Sequence, residues 1–136
     1  MSDLASLAEL AEKFQTLAAG LDVEPYFKLF RTTPQHDGSP HVEVAAGKFQ
    51  FVVTERGSEF ERIKDLSADE VLYLLFEGVT QHMATRYELR NRLPGMDGRS
   101  VWFPYQEHLM EGVNHSWGER LKEKHRRVLE DHPFRP

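Results

Sequence analysis

The chain has no cysteine among its 136 residues, which excludes a disulfide framework, a thiolate zinc site and a cysteine nucleophile together. Long apolar runs are also missing. The longest, Val71 to Phe76, falls far short of the roughly 20 residues that span a bilayer, so no membrane partner is expected. A basic excess is missing too: 17 Lys and Arg stand against 22 Asp and Glu, a formal charge of −5. Phosphate-backbone binding needs clustered cations, so nucleic acid is not an expected partner. The opening stretch MSDLASLAELAEKF carries Asp3, Glu9 and Glu12 and lacks the basic and apolar regions of a signal peptide. A cytoplasmic location is the expectation. Finally, there is no Walker loop, dinucleotide fingerprint, nucleophile elbow, zincin helix or calcium loop. We therefore expect no enzyme activity, no cofactor and no resident metal.

What remains is an ordinary globular composition, 40% hydrophobic and 29% charged. The length suits a single domain over residues 1–136. The mild acid excess is compatible with a basic protein partner, although the same excess also serves solubility.

The patterning predicts an α+β fold: a small antiparallel β-meander packed against a long central helix, with an N-terminal helix and two C-terminal helices. A first helix is expected from Asp3 to Ala19, with Leu7, Leu10, Phe14 and Leu17 at helical spacing and Gly20 as its left-handed stop. Tyr26 to Phe30 reads as a weak strand and Thr32 to Pro40 as a loop. His41–Val44 and Lys48–Val53 alternate around an Ala46-Gly47 turn, and Gly57 precedes a third strand over Glu59–Ile63. Ser67 and Glu70 form a capping box for a helix over Ala68 to Arg92. Its apolar arc includes Leu72, Leu75, Phe76, Val79 and Met83, and His82 and Arg86 fall inside the same arc. After Asp97-Gly98 a shorter helix runs through Tyr105, Leu109 and Met110 to Gly112, with Pro104 expected in its first turn. A last helix follows the box Ser116-Trp-Gly-Glu119, with Trp117, Leu121 and Val128 as its stripe.

Two groupings could carry function. On the outer side of the long helix, Glu70, Glu77, Gln81 and Glu88 line up with Leu74 beside Tyr73, a pattern of acids around an aromatic and a leucine that suits partner binding. The burial expected is Leu72, Leu75, Phe76, Val79 and Met83 inside, with Glu70, Leu74, Glu77, Gln81 and Glu88 exposed. The rival grouping is Glu77, His82, Glu107, His108 and Glu111, a carboxylate-rich set that a metal-assisted enzyme could use. It lacks the paired Glu-x-x-His spacing of di-metal bundles, and solvated helix faces would look the same.

The blocks FVVTERGSEFER, EVLYLLFEGVT, MATRYELRNRLPGMDGR and NHSWGERLKEKHRRVLEDHPF resemble the immunity protein 63 family of bacterial polymorphic toxin systems, over roughly Val42 to Phe134. The resemblance implies a protein that neutralises a sibling toxin in the cytoplasm by binding it, with no cofactor. The positions that fit the pattern are Glu55, Arg56, Gly57, Phe76, Glu77, Tyr87, Glu88, Leu89, Asp97, Arg99, Gln106, Trp117 and His132-Pro133-Phe134. Pro104 and Gly118 depart from what the surrounding helices would prefer.

Overall fold

The computed structural model describes residues 6–135. The chain divides into two compact units, Met1–Leu75 and Phe76–Pro136. Among the described residues the elements are a three-stranded antiparallel sheet, four α-helices and one short 3-10 helix, an α+β fold as expected. Among the described residues no helix is long and apolar enough to cross a membrane.

In the N-terminal unit, helix α1 covers Leu7–Ala18. Ser6 caps it by accepting a hydrogen bond from the Glu9 amide at 3.1 Å, and Leu10, Phe14 and Ala18, spaced by four, are buried. The expected start at Asp3 lies outside the described residues. Gly20 is not left-handed as expected; instead the Leu21 amide donates to the Ala18 carbonyl, tightening the last turn. The weak strand at Tyr26–Phe30 is also corrected. Pro25–Lys28 is a 3-10 helix, because Pro25 at its first position presets a helical φ. The Phe27 amide then closes onto Glu24.

Strands β1 (Asp37–Ala45), β2 (Lys48–Glu55) and β3 (Ser58–Leu66) form a meander in the order β1-β2-β3. Both hairpins turn on two residues with positive φ, Ala46-Gly47 and Arg56-Gly57. That is the primed-turn geometry whose twist matches the strands, and glycine fills the second position each time. The strands run longer than the alternation indicated, and β1 takes in Asp37–Pro40 from the expected loop. Across one face Arg62 reaches Glu43 at 2.9 Å and Glu59 at 2.8 Å, while His41 Nε2 lies 2.7 Å from Glu43. Polar cross-strand bonds thus tie β3 to β1 over β2.

Helix α2, Ala68–Arg90, starts in the first unit and continues into the second. Its predicted capping box is present: the Glu70 amide donates to Ser67 Oγ at 3.2 Å, and the Ser67 amide to the Glu70 carboxylate at 3.1 Å. Val71, Leu72, Leu75, Phe76 and Val79 are buried as expected, while Met83 is only half-buried.

The second unit adds α3 (Arg99–Val113) and α4 (His115–Asp131). Pro104 is not in the first turn but inside α3. The helix begins early because the Ser100 amide closes onto Asp97 and the Trp102 amide onto Gly98. It continues across the exposed proline because Phe103 and Gln106 on either side are buried. The buried stripe of α3 is Phe103, Gln106 and Met110. The cap of α4 is Asn114, not Ser116: its side chain accepts from the Trp117 amide at 3.2 Å.

Candidate functional site

A pocket of about 300 Å³ opens in the second unit between α2, α3 and α4. Glu77 and Gln81 reach it from α2, Trp102 and Gln106 from α3, and Lys124 and His125 from α4. The helical period explains each placement, since residues four apart share a face: Glu77 and Gln81 are one such pair, Trp102 and Gln106 another. His125 follows Trp117 and Leu121 on the buried stripe of α4.

Three bonded pairs build the walls. Glu77 pairs with Lys124 across the mouth, with side-chain exposures of 15% and 55%. Gln106 is 1% exposed and donates from Nε2 to the Glu77 carbonyl at 3.1 Å and to the Thr80 hydroxyl at 3.2 Å. His125 Nδ1 lies 2.6 Å from the Glu107 carboxylate, and its ring stacks on Phe103 at 3.8 Å with Trp102 edge-on at 6.0 Å. Burial pushes the His125 pKa down from its ordinary value, opposed by the Glu107 hydrogen bond. Lys124 nearby also lowers it, and Glu77 raises it.

That direction fixes the sign of a pH effect. An imidazole whose pKa is lowered on folding stabilises the protein fully above its unfolded value near ~6.5 and loses that contribution as pH falls below it. Urea unfolding at several pH values between 7.5 and 5 should show declining stability for wild type and a flatter profile for His125→Gln. Parallel profiles would place the pH sensitivity in another group.

The expected stripe is only partly a surface. Glu70 and Gln81 are exposed and Leu74 is half-buried. Tyr73 is 2% exposed and Glu88 6%, against the expectation that they flank or join an open face. Glu88 turns inward because Arg92 grips its carboxylate with two hydrogen bonds of 3.1 Å. Gly98 also packs on it so closely that a Cβ there would sit 3.1 Å from the carboxyl carbon. Glu77 is half-buried through its pair with Lys124.

The rival metal grouping does not assemble. Glu77 pairs with Lys124, Glu107 with His125, and Glu111 with His115 and Lys122, while His108 is exposed. Among the described residues the one trio of potential metal ligands close together is Glu111, His115 and Glu119. Lys122 Nζ lies 3.0 and 3.3 Å from its two carboxylates, so an ammonium already supplies the positive charge there. Of the five expected ligands only Glu111 belongs to this trio.

Against known proteins, the family model described as Immunity protein 63 matches residues 46–127. The chain belongs to the immunity protein 63 family. No curated protein and no solved structure gave a match. The match spans β2, β3, α2, α3 and most of α4 but stops short of His132-Pro133-Phe134, which the sequence pattern had included.

Several pattern positions of this immunity-family chain prove to be fastenings. Arg99 holds Asp97 with two hydrogen bonds and donates to the His132 and Pro133 carbonyls at 2.8 and 3.0 Å. Trp117 stacks on Phe76 at 5.9 Å. Trp102, Lys124 and His125 were missed by sequence reasoning. His125 was legible in principle, because it continues the Trp117–Leu121 spacing. Nothing in the sequence marks Trp102 or Lys124, whose relevance depends on which helices meet.

Proposed function

We propose that this chain is the antidote to a cognate toxin, binding a toxin domain in a stoichiometric complex in the cytoplasm and acting without catalysis. The observation that carries this is the family match over residues 46–127. Charge distribution supports a basic partner. The first unit holds 13 acidic and seven basic residues, whereas the second is nearly balanced with nine and ten. Such a field accelerates encounter with a positively charged surface.

Within the expected stripe, Glu77 and Gln81 are the contact residues on the pocket rim, and Glu70 and Leu74 offer further contacts on the first unit. Tyr73 and Glu88, being buried, act through the fold. A specific complex covers on the order of 1,200–2,000 Å² in total, so the pocket and rim are one part of a larger contact. In the 94–99 segment Asp97 and Arg99 are engaged with each other.

The decisive experiment co-expresses the chain with the toxin domain encoded beside it. Restored growth together with co-elution at a fixed ratio is the expected result. A toxin that still kills although the chain is present and folded would sink the proposal. Glu77→Lys should weaken the complex by at least ~1–2 kcal/mol. Because it also places two ammonium groups side by side, the swap Glu77→Lys with Lys124→Glu separates the effects. The double variant should regain wild-type melting behaviour but not wild-type affinity. Full recovery of affinity would remove Glu77 from the contact.

A further inference from the structure

We infer that the pocket between α2, α3 and α4 receives an arginine side chain of the partner protein, its guanidinium directed to the Glu77 carboxylate and the Gln106 amide oxygen beside the Trp102 ring. This rests on the toxin-binding proposal above and specifies the chemistry recognised at that site.

The buried part of the pocket has acceptor capacity left over. Gln106 spends both amide hydrogens on α2, while its Oε1, buried, has no hydrogen-bond partner among the described residues. A buried acceptor left in that state keeps an uncompensated desolvation cost, which an arriving donor would relieve. His125 points Nδ1 at the Glu107 carboxylate. In the neutral ring that nitrogen carries the proton, leaving Nε2 as an acceptor. Thr80 donates its hydroxyl hydrogen to the Phe76 carbonyl at 2.7 Å, so it offers no donor either.

The cations present do not meet this need. Arg99 is committed to Asp97 and to two carbonyls of the C-terminal segment. Lys124 pairs with Glu77 but leaves more than half its side chain exposed. Such a pair is worth little and carries the rotamer entropy of a long side chain. A cation delivered on a partner's rigid surface can take its place. The half-buried Trp102 ring on the pocket wall favours a cation over a neutral group, whereas Phe103 already carries the His125 ring and the Arg99 guanidinium. Two acceptors on residues that line one pocket with an aromatic ring suit the planar fork of a guanidinium better than an ammonium.

The test uses the full chain and no toxin. N-acetyl-arginine amide is titrated while the indole N–H signals of Trp102 and the buried Trp117 are followed by NMR, the second as a reference for folding. A saturable shift at Trp102 is expected. Lys124→Ala should tighten the probe by roughly threefold, in line with the modest worth of an exposed ion pair. Glu77→Gln should loosen it by about fivefold or more. N-acetyl-citrulline amide, the neutral isostere, should bind more weakly than the arginine probe. Equal binding of the two, weaker binding in Lys124→Ala, or a preference for N-acetyl-glutamate amide would each overturn the assignment. A chain that neutralises its toxin yet ignores the arginine probe keeps its function and loses this pocket role. A chain that binds the probe but protects against no toxin has the reverse outcome.

Discussion

Replacing Gly118 by alanine should destabilise the protein by about 2–3 kcal/mol, lowering the melting temperature by about 10 °C. Gly118 lies inside α4 and is buried. A Cβ built there would sit 2.8 Å from both Cα and Cβ of Glu111 and 3.1 Å from its amide nitrogen. These are atoms of the α3 backbone and its first side-chain carbon, and no rotamer change can move them aside. The two helices would have to separate, disturbing the buried Met110 and Trp117 nearby in the chain. Alanine normally gains ~1 kcal/mol over glycine in a helix interior, and that gain is too small to offset the clash. Gly78 in α2 provides the control. It is exposed, and nothing lies within 4 Å of an added Cβ, so Gly78→Ala should stabilise by roughly 0.5–1 kcal/mol. Equal effects of the two substitutions in urea unfolding would refute the close-approach account.

Arg99→Met should release the C-terminal segment after α4. In wild type the guanidinium satisfies the Asp97 carboxylate and the carbonyls of His132 and Pro133, and the Arg135 amide donates to Asp97 at 3.2 Å. One side chain therefore joins the start of α3 to the chain end, and a thioether supplies none of its donors. Hydrogen exchange should report the loss of the Arg135 amide's protection and fraying of the last turn of α4, with a clear drop in melting temperature. Lysine should rescue poorly, because a point cation cannot serve a carboxylate and two carbonyls in one plane.

The same cluster sets an acid limit. The Arg99 side chain, and next its backbone amide, hold the Asp97 carboxyl well below the usual carboxylate range. A lowered carboxylate pKa contributes stability above the unfolded value near ~3.9 and loses it as pH falls through the folded one. Arg99→Met should therefore also flatten acid unfolding below about pH 4. Unchanged exchange and an unchanged acid limit would show that the Arg99 bonds do not hold the segment.

Local patterns carried much of the architecture. Alternation and the two glycine turns specified the hairpins, the Ser67–Glu70 box started α2 at the right residue, and helical spacing identified Leu72, Leu75, Phe76 and Val79 as buried. These features depend on neighbours within a few positions, where backbone sterics and side-chain period act directly. Family membership was legible for a related reason, since the matched blocks are written in the chain itself. The errors are equally local in origin. Pro104 was expected in the first turn of α3 and Gly20 as a left-handed stop to α1, because intrinsic preference is all that a sequence displays when packing is unknown.

The tertiary structure alone decided the fate of the charged stripe. Glu70, Glu77, Gln81 and Glu88 are equivalent on a helical wheel, yet Glu88 is buried against Gly98 and Arg92, Glu77 is drawn to Lys124, and Gln81 stays exposed. The pocket has the same status. Trp102 and Lys124 stand 22 positions apart in the sequence, and neither carries a motif. A periodic pattern states which side of a helix is apolar. Which partner a polar side chain meets depends on where another helix crosses, and that is fixed by contacts such as Gly118 on Glu111, where the absence of a side chain lets two backbones approach.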